Sequence, residues 1–238
     1  MTRLELIRQV ALRMDEVTPE SPDFTIADIP VDGSDNNPLY ALIDGLVDAG
    51  ALELFSVAPF WRLPQKAFTG VAVKTLPALF NSRKVVRLKV EDDFLRVAEI
   101  DCVHFQRPIT EVVPEVSDLG KRQHNRFLMG KEAKPVGVMS HDEWTTGSGS
   151  SAVTAQCREI DCYSIDGSTT VNAATDVKAT YIATPVMPAT DTSTEIETVV
   201  PPVLVEALEW LVAARTFGAR GDANHAAICQ QNAQNLLV

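Results

Sequence analysis

The hydrophobic pattern of the chain changes its period twice, and this change limits the fold more than any other feature. Near both ends, apolar residues recur at the spacing of a helix, in the ranges 2–17, 38–55 and 201–238. Between Gly70 and Pro185, short runs of apolar residues alternate with polar ones instead. The sequence therefore predicts an α+β protein whose helices precede and follow a β-rich middle.

The first helix carries both a capping signal and an apolar stripe. Thr2 and Glu5 have the spacing of a capping box, in which a hydroxyl and a carboxylate accept hydrogen bonds from each other's free backbone N–H groups. The stripe follows at helical spacing: Leu4, Ile7, Ala11 and Met14, with Leu6 and Val10 beside them. Asn37 before Pro38 predicts the start of a second helix, after a loop over 18–37.

The alternating middle predicts strands. The clearest runs are Val86–Val90, Ala98–Cys102, Val136–Val138 and Val177–Ala183. Gly, Ser, Asp and Pro separate these runs, which is typical of an antiparallel sheet folded as a small sandwich or an open barrel. Gly147–Ser151 is interpreted as a hairpin tip, because it lacks the glycine-lysine ending and the following helix that a phosphate loop requires.

These patterns predict four segments. They are a helical part with loops at 1–69, an antiparallel β-domain at 70–185, a linker at 186–200 and C-terminal helices at 201–238. The first and last helices are expected to pack together as a bundle into which the β-domain is inserted. No apolar run is long enough to span a bilayer, and Glu5 and Arg8 interrupt any signal-peptide core. Folding in a cytoplasm is therefore expected.

No group of residues predicts catalysis, a metal or a cofactor. The four cysteines form no CxxC pair, and no serine lies in a glycine-flanked nucleophile elbow. His141-Asp142-Glu143 is interpreted as a solvated turn rather than a chelating site, since adjacent strand residues diverge. In Ala58–Pro64, the two aromatic residues are interpreted as core residues under a loop rather than as a ligand cage. An enzyme is not expected.

One segment reverses the acidic balance of the chain, which has a net charge of −11. Its basic residues are Lys121, Arg122, Arg126, Lys131 and Lys134, and Glu132 is the single acid among them. The segment is either a solvated basic loop or a contact for an acidic neighbour or for passing DNA phosphates. The overall charge disfavours a nucleic-acid binder, but an acidic wall would let DNA slide past without adhering.

Asp222 is the predicted N-cap of the last helix. This helix is nearly free of charge and rich in amide side chains, which favours packing against another subunit. Neutral amides can form many intersubunit hydrogen bonds without the cost of burying charge. A short helix of this kind is marginal alone, so it is expected to fold on assembly. On this interpretation, deletion of residues 228–238 would leave a folded monomer that no longer docks.

Several stretches, taken in order, resemble the head-to-tail connector (adaptor or ring) proteins of short-tailed and related tailed bacteriophages. The stretches are Thr2–Ala11, Asp92–Arg96, Arg107–Glu111, the basic Lys121–Lys134 segment and Val200–Ala214 with the helix that follows. The resemblance implies a virion protein that forms a ring, usually twelve-fold, below the portal, and that lines the DNA channel without sequence-specific binding. It implies a β-domain that lies outside or meets the next tail component.

In that family the C-terminus commonly docks on the portal. Carried over to this chain, the docking candidates are Gln230, Gln231, Asn232, Gln234, Asn235, Leu236, Leu237 and Val238. The alternative is another structural component of the virion, such as a tail or nozzle protein. A cytoplasmic binding module or an enzyme is the third class, and it would be active as a monomer.

Overall fold

A computed structural model describes residues 1–17, 38–125, 127–146, 153–165, 169–190 and 193–238. These residues form an α+β protein with five α-helices and two β-sheets, and the described strands close no barrel. The chain divides into two compact units. The helical unit contains 1–64 and 184–238, and the β unit contains 65–183.

The helical unit contains α1 (Arg3–Val17), α2 (Pro38–Val57), α4 (Pro202–Ala219) and α5 (Ala223–Leu237). The capping box of α1 is confirmed, because the backbone N–H of Thr2 donates to Glu5 Oε2 at 2.6 Å and that of Glu5 donates to Thr2 Oγ1 at 3.3 Å. The predicted stripe of α1 is buried from Leu6 to Met14. Helix α4 packs against α1, α2 and α5 and is itself buried along most of its length.

Ion pairs join these helices. The buried Arg3 guanidinium of α1 contacts the carboxylates of Asp44 and Asp48 on α2 at 2.7 and 3.0 Å. Arg13 contacts Glu206 and Glu209 of α4, each at 3.0 Å. Each arginine bridges two helices. The ion pairs therefore help to fix how the helices are oriented, while apolar side chains make most of the contact.

The described residues of the β unit form eight strands in two sheets. The strands are β1 (Lys66–Ala67), β2 (Val71–Thr75), β3 (Lys84–Lys89), β4 (Phe94–Cys102), β5 (Val112–Pro114), β6 (Val136–Thr146), β7 (Val153–Ile165) and β8 (Val177–Ala183), with a short helix α3 (Asp118–Arg122) after β5. One sheet has the order β1-β8-β4 and the other β2-β3-β7-β6-β5. An apolar core draws side chains from both sheets, including Val86, Ile100, Ile160 and Tyr181.

Two features of the β unit depart from the sequence-based expectations. The sheet is not wholly antiparallel, because β5 pairs in parallel with β6 from Val112 to Pro114. The predicted turn His141-Asp142-Glu143 instead lies inside strand β6, paired with β7. Its three side chains are polar and the segment lacks the β-branched residues that favour strands, so only its long antiparallel partner reveals it.

Other predicted features fall on different parts of the chain. The predicted linker contains a 3₁₀ turn, Ile196–Thr198, whose buried Ile196 donates its N–H to the carbonyl of Met1 at 2.9 Å. Asn37, the loop over 18–37 and the proposed hairpin tip Gly147–Ser151 lie outside the described residues.

Candidate interaction surfaces

Helix α5 is held in place by a cap at its start and by apolar residues along one side. The backbone N–H of His225 donates to Asp222 Oδ1 at 3.1 Å, which confirms the predicted N-cap. Cys229, Ala233 and Leu237 recur every fourth residue and are buried, and α5 packs against α4. The sequence analysis expected this helix to fold on assembly, and the structure adds that its apolar side packs against α4 of the same chain.

The amide side chains of α5 lie mainly on its outer side. Gln230, Gln231, Gln234 and Asn235 are exposed, and Asn232 is half-buried. Gln231 Nε2 donates to Asn235 Oδ1 at 3.2 Å, along the outer side of the helix. Of the predicted docking residues, seven therefore reach the surface at least in part, whereas Leu237 is buried in the helical unit.

The end of α5 accepts hydrogen bonds from Arg62, a residue that the sequence did not point to. Arg62 donates from Nη1 to the carbonyl oxygen of Leu236 at 3.0 Å and from Nη2 to that of Val238 at 3.1 Å. The two bonds satisfy carbonyls that a helix end leaves free. The neighbouring Trp61 is 69% exposed. The interpretation of both aromatics of this turn as core residues is wrong for Trp61, and Phe60 is only half-buried.

The basic segment is built as a tightly anchored loop on the β unit, over residues 115–135. Ser117 Oγ caps α3 by accepting from the N–H of Gly120 at 3.0 Å. The buried side chain of Gln123 accepts from the N–H of Gly130 at 2.7 Å and donates to the carbonyl of Leu119 at 2.9 Å. Met129 is buried in a small apolar cluster, and a Cβ at Gly130 would lie 2.1 Å from the carbonyl oxygen of Tyr163.

This loop presents cations together with apolar side chains. Lys121, Arg122, Lys131 and Lys134 are exposed, and none of the four forms an ion pair with the described residues. Arg126 lies outside the described residues. Four large apolar side chains on the same loop are also exposed: Val116, Leu119, Phe127 and Leu128. Exposed apolar groups among cations are typical of a protein contact, whereas phosphate contacts need only the charge.

A second charged group, which the sequence analysis missed, lies on the face of the five-stranded sheet opposite the main core. Arg87 donates from Nε and Nη2 to both carboxylate oxygens of Asp161, at 2.8 and 2.9 Å, and from Nη1 to Asp142 at 3.1 Å. Its Nη2 also lies 2.9 Å from Oε1 of Glu159, whose side chain is fully buried. The sequence signal is a charged residue between apolar neighbours: Arg87 lies between Val86 and Leu88, and Asp161 lies between Ile160 and Cys162.

The acids of this group outnumber the bases. Glu159 has no hydrogen bond of good geometry to the described residues, and burial together with the neighbouring Asp161 raises its pKa to about 7. Asp142 is more exposed, and hydrogen bonds from the N–H of Glu143 and from Arg87 lower its pKa. Asp142, Glu159 and Asp161 form an ion-pair network around Arg87, and structural networks of this kind also shift pKa values.

Among the described residues, no cluster of His, Cys, Asp and Glu has the geometry of a metal site. The four cysteines are free thiols, and burial raises the pKa of Cys162 and Cys229 well above neutrality. Such thiols are poor nucleophiles, because the thiolate is the reactive form. No described helix combines the length and the apolar character that crossing a bilayer requires.

Charge is divided unequally between the two units. The helical unit has 17 acidic and 6 basic residues, which accounts for the whole net charge of −11, and the β unit has 15 of each. Within the β unit, the anchored loop concentrates bases. The surplus of acids therefore belongs to the helical unit, and a concentration of bases belongs to the loop.

Comparison with known proteins gave no match, neither to a family model nor to a curated protein.

Proposed function

We propose that this chain is a structural subunit of the head-to-tail connector of a tailed bacteriophage. It forms a ring below the portal, and its C-terminal helix docks on the portal. In this proposal the helices of 1–64 and 184–238 form the bundle that builds the channel wall. The strands of 65–183 are an inserted domain on the outside or toward the next tail component.

The observation that carries the proposal is the uncharged outer side of α5. In a unit with a net charge of −11, the fifteen residues Ala223–Leu237 contain no Asp, Glu, Lys or Arg. Exposed helix sides normally carry charged residues, because charge keeps the monomer soluble and costs nothing in water. An exposed amide side suits a surface that becomes covered, since amides lose less solvation than ions do on burial.

The acidic helical unit is also suited to the wall of a DNA channel. Surplus carboxylates repel phosphates and leave no adhesive site for the passing polymer. A short terminal helix that is already folded and capped would lose little conformational freedom on docking, which favours a firm attachment.

The test is capture of the chain by the portal of the same virion, with single substitutions on the outer side of α5. Gln230→Glu and Gln234→Glu each place a carboxylate where an amide would be buried, and each is expected to weaken capture about tenfold or more. Gln9→Glu is the matched control, since Gln9 is an exposed amide on α1 of the same unit. It should not change capture.

Negative-stain images of the captured complex give the second readout. A ring with a central opening, seated on the portal, supports the connector. Normal capture of both α5 variants would place the docking surface elsewhere. Binding to a tail or nozzle protein without the portal would favour the alternative virion component. A monomer with its own binding or enzymatic activity would overturn both proposals.

A further inference from the structure

We propose that the basic loop (residues 115–135) is the contact through which one copy of this chain binds the acidic helical unit of a second copy. The proposal deepens the ring-forming part of the proposed function by naming the partner of this loop. The occupant follows from charge complementarity within one sequence. A copy with an acidic body and a basic loop offers both halves of a head-to-tail contact, and such heterologous contacts are those that close into rings.

Hydrogen bonds and one buried side chain anchor the described part of the loop. Gln123 ties α3 to Gly130, Met129 is buried under the loop, and Arg83 Nη1 donates to the carbonyl of Gly130 at 3.1 Å. Because the backbone is fixed from two sides, little conformational entropy remains to be lost on binding.

Four cations of the loop have no ion-pair partner among the residues that the structure describes. Most arginines of the helical unit are engaged with carboxylates or carbonyls of their own unit, as Arg3, Arg13 and Arg62 are. Lys121, Arg122, Lys131 and Lys134 have no such partner among the described residues. The chain's surplus of carboxylates lies entirely in the helical unit, so the second copy supplies what the loop lacks.

The apolar side chains of the loop favour a protein over DNA as the partner. Val116 is 78% exposed and Phe127 is 74% exposed. A groove of about 380 Å³ beside Val116, lined also by Val112 and Met139, offers space for an apolar side chain of the neighbour. Duplex phosphates would use the cations and leave these groups in water.

The first experiment compares self-association of two double variants with that of the wild-type chain by sedimentation velocity. Lys121→Glu/Arg122→Glu reverses two charges of the loop. Arg158→Glu/Lys178→Glu is the control, because both residues are exposed strand residues of the same unit and the change in net charge is identical. The loop variant is expected to self-associate about tenfold more weakly than the wild type, and the control within about twofold. Circular dichroism checks that both variants remain folded.

The second experiment identifies the partner surface. Carbodiimide joins Lys Nζ to carboxylates without a spacer, and mixing ¹⁵N-labelled with unlabelled chains separates links between copies from links within one. Lys121, Lys131 and Lys134 are expected to join Asp or Glu of residues 1–64 or 184–238 of the other copy. Links between copies that fall mainly within 65–183 would overturn the proposal.

Other outcomes overturn it as well. These are equal self-association of loop variant and control, a wild-type chain that stays monomeric at low salt, or duplex DNA binding that only the loop reversal abolishes. The portal capture described above separates this failure from that of the proposed function. The loop variant should still be captured by the portal, and Gln234→Glu should still self-associate.

Discussion

The helical unit and the β unit treat charge in opposite ways. The helical unit has nearly three acids for each base, whereas the β unit is neutral in total. In the helical unit, arginines pair with carboxylates across helix contacts. In the β unit, three carboxylates surround Arg87 on one sheet face, while four cations of the basic loop stay unpaired among the described residues.

The two ways of placing charge have different consequences for the stability of the fold. Surplus surface charge of one sign repels itself and adds nothing to the fold, so its retention points to a role outside the monomer. An excess of buried acid is a cost to the fold itself, because desolvation penalises the charged form. The β unit therefore holds part of its charge where it acts on stability, and the ring proposed above would give the surplus acids of the helical unit a basic partner.

The largest expected effect is on the helical unit. Deleting residues 228–238 removes the buried side chains Cys229, Ala233 and Leu237 of α5, and α4 loses the helix that packs against it. The deletion should lower the free energy of unfolding by about 4 kcal/mol or more. The sequence alone favoured a folded truncated chain, so the structure reverses that prediction. Hydrogen exchange should show faster exchange in α4 and unchanged protection of β7.

The control for the truncation is Val238→Ser, because Val238 is 98% exposed. It should leave exchange in α4 unchanged. Equal loss of protection in α4 and β7 would mean that the two units unfold together, and the comparison between them would lose its basis.

A pair of glycine substitutions sharpens the comparison through steric fit. Gly130→Ala drives a methyl group into the Tyr163 carbonyl and should destabilise the β unit by about 3 kcal/mol. Gly45→Ala on α2 meets nothing within 4 Å and should stabilise the helical unit by about 0.5–1 kcal/mol. Urea unfolding of both variants, followed by Trp fluorescence and by circular dichroism, checks the opposite signs. A stable Gly130→Ala protein would show that the basic loop is loosely held.

The smallest expected effect is the pH dependence of the β unit. The pKa of Glu159 is raised in the folded state, so its contribution to stability is complete below about pH 4.3 and is lost as the pH rises through 7. Glu159→Gln removes the titration and should stabilise the protein by about 2 kcal/mol at pH 8, with little change at pH 5. Thermal unfolding at the two pH values measures the difference. Equal effects of the substitution at both values would show that Glu159 stays ionised throughout.

Patterns within one element were predictable from the sequence. The capping box at Thr2 and Glu5, the stripe of α1 and the N-cap at Asp222 depend on residues a few positions apart, where geometry follows from the helix alone. The alternation of Val86, Leu88 and Ile100 likewise identified strand residues that are buried. Local spacing is enough in these cases, because each signal and its partner belong to the same element.

The features that failed depend on partners far along the chain. His141-Asp142-Glu143 is a strand because β7 pairs with it, and Trp61 is exposed although it was interpreted as a core residue under a loop. The hydrogen bonds of Arg62 to Leu236 and Val238 join residues more than 170 positions apart in the sequence. The side of α5 that is buried was also set by α4, which covers Cys229 and leaves Gln230 in water.

The sequence by itself determined the α+β composition, the helix caps and the division between an acidic and a basic part, since each depends on residue identity and short spacing. Only the tertiary structure decided which charges are paired, which aromatic side chain reaches the surface and which side of the last helix is covered. The physical reason is that burial and ion pairing are properties of two surfaces together, and residues distant in sequence supply the second surface.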